Sequence, residues 1–178
     1  MNKQKRNLTL AVAGAILVVA AVILVAVAGS TGRGSEKGTL TQYYTAMYSE
    51  EGGGMDAIVD CLVPALQQDY YNRITVGGTN FNQLTAWRLE AMNMVGDGIQ
   101  VKVEIINDLA ESSSDLAQIK ATYPTADRYH VVAFRMTLSG SEGSQAFVGV
   151  MPLVQMDGTW YMTTADAGLK RVVEGTAQ

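Results

Sequence analysis

The chain offers few residues able to do chemistry. His130 is its single histidine and Cys61 its single cysteine, so no multi-histidine or disulfide-based site can form within one chain. Asp56 and Asp60 stand four apart and would share one face of a helix, as a carboxylate pair or as part of a solvated surface. Cys61 follows Asp60 directly, and a neighbouring carboxylate disfavours a reactive thiolate. Tyr43, Tyr44, Tyr48, Tyr70 and Tyr71 fall at helical spacings that suit core packing or an aromatic binding surface. No Cys-x-x-Cys, His-Glu-x-x-His, Gly-x-Ser-x-Gly or phosphate-loop pattern occurs, so neither a metal nor a cofactor is expected.

The elements that must position these residues follow from hydrophobic period. Leu40, Tyr43, Tyr44 and Met47 mark one helix face, interrupted by Gly52-Gly53-Gly54. Met55, Ile58, Val59 and Leu62 resume the period, with a break expected near Val63 because Pro64 suits the first turn of a new helix. A further helix is predicted from about Asn82 to Val95, closed by Gly96. Beyond Gly98 the period changes to two. Strands are predicted from Ile99 to Ile105, Tyr129 to Leu138, Gln145 to Met156 and Thr159 to Thr164, with a short helix from Ser112 to Tyr123. Pro152 should mark a bulge or an edge, and Asp157-Gly158 a two-residue hairpin. Helices followed by a strand meander give an α+β domain.

Strict alternation puts His130 on the face of Val132, Phe134 and Met136. There it could act as an acid or base beside a carboxylate, or simply be a hydrogen-bonded residue at the start of its strand. The third strand is apolar on both faces, and Ala146, Val148 and Val150 form a candidate interface. A second copy or an envelope protein would cover it, unless a terminal segment does.

The N-terminal part has a different character. Leu8 to Ala28 carries no charge, and as a helix would be ~32 Å long, close to the ~30 Å of a bilayer core. Lys3, Lys5 and Arg6 precede it, which favours a cytoplasmic N-terminus and an extracytoplasmic domain in the cell membrane. The competing expectation is a signal peptide cleaved after Ala28, leaving a secreted product. Residues 1–7 are then a basic flank, 8–28 a signal anchor, 29–38 a Gly/Ser tether and 39–178 the folded domain. From Gly29 onward the 17 acidic residues outnumber the basic ones, which argues against a nucleic-acid partner.

The run Met156-Asp157-Gly158-Thr159-Trp160-Tyr161-Met162, after an amphipathic helix set, resembles the closing hairpin of the nuclear transport factor 2-like superfamily. The order Leu116-Ala117-Gln118-Ile119, Tyr123, Val131-Val132 is similar to its membrane-anchored bacterial envelope members. The resemblance implies a cone of helices on a curved antiparallel sheet, dimeric in many relatives, and transfers no catalytic residue. In the cone fold that it implies, Trp87, His130, Phe134 and Met136 are the candidate pocket lining. It leads to two expectations of function. One is a membrane-tethered, non-enzymatic module that binds a protein or small ligand. The alternative is an isomerase or dehydratase using an apolar cone pocket.

Overall fold

The computed structural model describes residues 32–75, 79–108 and 114–172. Five helices occur among them: α1 (Glu36–Tyr48), α2 (Gly54–Asp60), α3 (Pro64–Thr75), α4 (Thr79–Val95) and α5 (Ser114–Thr122). The strands are β1 (Gln100–Asp108), β2 (Arg128–Gly140), β3 (Gly143–Met156), β4 (Thr159–Met162) and β5 (Lys170–Arg171). They form one antiparallel sheet in the order β1-β2-β3-β4, with β5 on the same edge of β3 as β4.

Helix ends obey local chemistry. Ser35 caps α1, its Oγ accepting from the Gly38 amide at 3.1 Å, and Glu36 puts a carboxylate at the positive end of the helix. The helix therefore begins inside the stretch read as a tether. The break at Val63 is built into the sheet: Met162 donates to the Cys61 carbonyl at 2.8 Å and accepts from the Val63 amide at 3.0 Å. Residues 61–63 thus cover the free edge of β4, and Pro64 opens α3. Gly96, at φ +80, turns the chain out of α4 so that the Val95 and Asp97 carbonyls accept from Glu142 and Ser141 in the β2–β3 turn.

The core lies between α1, α2 and α4 and one face of the sheet. Leu40, Tyr43, Ile58, Leu62 and Val95 meet Val103, Phe134, Met136, Leu138, Met151 and Leu153 there. A smaller cluster, Val63, Ile119, Val131 and Val154, sits under α5 on the opposite face.

The sheet is open and uncurled, not the wall of a cone. The reason is register. β2 and β3 pair without a break from Arg128↔Gln155 to Gly140↔Gly143, and the only shift is in β1, between Ile105 and Asn107. Strong bending of long strands needs bulges, and the central hairpin has none. Pro152 makes none either. Its carbonyl points to the outer edge, accepting from Thr163 at 3.1 Å, so the missing N–H also falls on that edge and costs no bond to β2. The space a cone would enclose is filled by Phe134, Met136 and Leu138, all fully buried. The isomerase or dehydratase expectation needed that space and is not carried forward.

Two further expectations are corrected. The membrane span over Leu8 to Ala28 lies outside the described residues, and among the described residues no helix is long and apolar enough to cross a membrane. The tethered, single-pass topology, and the secreted product cleaved after Ala28, therefore have no structural support. The homodimer or envelope partner rested on an uncovered second face of β3. Val154 on that face is fully buried beneath α5, Ala146 and Val148 are half-buried, and Val150 is 43% exposed. Much of the covering comes from the chain itself, which removes the reason for invoking a second copy.

Candidate functional site

His130 sits near the start of β2, opposite Leu153 and on the core face. Its Nδ1 lies 2.5 Å from Oε1 of Glu36, and its ring is 4.9 Å from that of Trp160. The surrounding bonds are structural. The Trp160 amide donates to the Arg33 carbonyl at 2.8 Å, and the buried Thr39 hydroxyl is 3.2 Å from the Trp160 carbonyl. A histidine oriented by a carboxylate is half of a general-base arrangement. However, neither His130 nor Glu36 lines any of the three clefts described below. The pair instead clasps the start of α1 to the sheet.

Cys61 is fully buried and donates through Sγ to the Ala57 carbonyl at 3.2 Å. Burial pushes its thiol up to about 12, with Asp60 adding to the rise and Arg33 opposing it. Such a thiol is not a nucleophile at neutral pH. Asp56 and Asp60 are both exposed on α2. Among the described residues no group of three or more His, Cys, Asp or Glu side chains could hold a metal ion.

The tyrosines do converge. Tyr43, Tyr44 and Met47 from α1, Tyr70 from α3 and Trp87 from α4 line a cleft of about 330 Å³. Its fourth wall is the segment from Ala165 to Leu169, between β4 and β5. Three contacts hold that wall. The Tyr43 hydroxyl donates to the Ala165 carbonyl at 2.9 Å, and the Val150 amide donates to the Ala167 carbonyl at 3.2 Å. Gly149 supplies the third by having no side chain: a Cβ there would stand 3.1 Å from the Ala167 oxygen and 2.9 Å from Leu169.

The floor is a set of packed rings. Tyr44 lies edge-on to Tyr43 at 5.1 Å, stacks with Tyr48 at 6.3 Å and meets Phe134 at 5.6 Å. Burial raises the Tyr43, Tyr44 and Tyr70 phenols above their ordinary value, so they remain neutral and protonated. Asp166 is the one charged side chain in the lining among the described residues, and it is close enough to Tyr44 to raise that phenol further. Its Oδ1 accepts from the Gly168 amide at 2.8 Å, a local turn that fixes the carboxylate at the rim.

Two other clefts are less suited to a ligand. The larger, about 430 Å³, is lined by Tyr48, Glu50, Glu51, Arg88 and Asp97 among others. Arg88 is partly engaged there, one terminal nitrogen donating to the Ser49 carbonyl at 2.9 Å and the Ala46 carbonyl at 3.4 Å at the end of α1, while its buried Nε has no partner among the described residues. The third, about 280 Å³, lies between α5, Pro152 and Thr163.

The candidate residues are thus separated. Trp87 lines the aromatic cleft, and Phe134 supports its floor from within the core. Met136 is buried in the core, His130 belongs to the clasp, and Ala146, Val148 and Val150 lie on the outer face of β3. Asp166 and the wall around it carry no periodic signal and were not legible in the sequence. The tyrosine spacings pointed to α1 and α3 but not to their meeting with Trp87.

No family model, curated protein or solved structure matches this chain. The resemblance to the nuclear transport factor 2-like superfamily is accordingly withdrawn. It rested on a local hairpin, Asp157-Gly158 with Trp160, that forms as expected in a sheet of different shape.

Proposed function

We propose that this α+β domain is a binding module whose ligand site is the aromatic cleft between α1, α3, α4 and the Ala165–Leu169 wall. The observation that carries this reading is the convergence of Tyr44, Tyr70 and Trp87 from three separate helices on one hollow. Ligand sites are characteristically concave and apolar, with a few fixed polar groups, and about 300 Å³ is the lower end of their size range. Asp166 and the Tyr70 phenol supply the polar groups here. The reading needs no catalytic residue.

Ligand-detected nuclear magnetic resonance against a library of small fragments tests it. Fragments should bind the full chain with millimolar affinity and lose that binding in Trp87→Ala, with the thermal transition changed little because Trp87 is only half-buried. Absence of any binding, or binding indifferent to Trp87→Ala, would reject the cleft as the site.

A further inference from the structure

We propose that the cleft selects an organic ammonium cation, a quaternary or multiply alkylated amine, held by Tyr70 and Trp87 with Asp166 as its counter-charge. This rests on the reading of the cleft as a ligand site and adds the class of ligand.

The first argument is charge. Among the described residues the lining contains one carboxylate and no lysine, arginine or histidine. An anionic ligand would meet Asp166 with nothing to offset it, whereas a cation gains an opposite charge at the rim. The second is the nature of the walls. Aromatic faces carry negative potential and attract a cation lying within about 6 Å of the ring centre. Tyr70 and Trp87 are the half-buried rings of the lining, and Tyr44, 2% exposed and packed on Tyr48 and Phe134, backs them; the phenols, neutral through burial, add no charge.

The degree of alkylation follows from hydration. A primary ammonium is a compact, strongly hydrated charge that needs several acceptors to replace its water. Here the Ala165 carbonyl is taken by Tyr43, and one Asp166 oxygen is taken by the Gly168 amide. Both keep free lone pairs, but the rest of the described lining is mostly ring and alkyl surface, short of the several acceptors that a bare ammonium needs. A cation whose methyl groups shield its charge loses little water on entering and covers the rings.

The experiment titrates the full chain with choline and with its uncharged isostere 3,3-dimethyl-1-butanol, at low ionic strength. Choline should bind about tenfold more tightly, the ratio expected of one charge-based contact of this kind. Asp166→Asn keeps the oxygen that accepts from Gly168 and removes the charge. It should lower choline affinity about threefold, the rings keeping the rest of the preference, and leave the isostere unchanged, with the fold verified by its melting transition. Equal binding of the two probes, or an Asp166→Asn variant whose choline affinity is unchanged, would overturn the inference while leaving the cleft a ligand site. Failure of both probes while other fragments bind in a Trp87-dependent way would overturn it too. If no fragment binds at all, the failure lies with the cleft itself.

Discussion

Gly149→Ala is the perturbation that most directly loads the wall of the cleft. Gly149 lies in β3 opposite Phe134, and its fully buried position has no room for a methyl group. A Cβ would stand 2.9 Å from Leu169 Cδ2, 3.1 Å from the Ala167 oxygen and 3.1 Å from Phe134 Cζ. The leucine tip can rotate away at little cost. The other two cannot move easily, because the Ala167 carbonyl is bonded to Val150 and Phe134 is enclosed by the core. Overpacking of this kind costs about 1–3 kcal/mol. Alanine recovers ~0.5–1 kcal/mol of that by ordering a less flexible chain, since the strand backbone accepts it. The net expected loss is therefore about 0–2.5 kcal/mol, centred near 1, measured as a shift of the urea midpoint at unchanged slope. Ligand affinity should fall with it, because the Ala165–Leu169 wall is what the methyl displaces. A variant more stable than the wild type would mean that this segment does not pack against β3 as described.

Three other outcomes are expected. Trp160→Ala should cost ~3–5 kcal/mol in a denaturant melt, because the ring is buried in the core against His130. A double-mutant cycle on Glu36→Gln and His130→Gln should give a coupling of about 0.5–1.5 kcal/mol, modest because both side chains are about a quarter exposed. Cys61 should resist a thiol reagent at pH 8 until the chain unfolds. Its folded thiol is raised from 9.0 to about 12, so its contribution to stability is complete below pH 9 and is lost as pH rises from 9 to 12. Alkaline melts of Cys61→Ala should lack this component of the decline.

Local structure was more legible in the sequence than the way its parts meet. The Asp157-Gly158 turn, the break before Pro64 and the close of α4 at Gly96 each follow from a residue whose backbone has few alternatives. Ile105 shows the limit of alternation. It shares the inward face of Val103 but is 37% exposed, because it lies at the β1 irregularity beyond the cover of the helices. Sheet curvature was not legible, since a meander of long strands is compatible with a cone or an open sheet, and unbroken register decides between them. The Glu36–His130 clasp was hidden for a similar reason. Glu36 reads as part of a glycine-rich tether until Ser35 is seen to cap a helix and Trp160 to bind Arg33. Asp166 joins the cleft only through the irregular path from β4 to β5, which no period announces.

The chain has two tryptophans, and their indole N–H resonances separate the site from the core. Trp87 lines the cleft, whereas Trp160 is buried at 3% exposure beside His130. Titrating a binding fragment into the nitrogen-labelled chain should move the Trp87 indole signal saturably and leave that of Trp160 in place. A fragment that binds while the Trp87 signal stays still would contradict the assignment of the aromatic cleft as the ligand site.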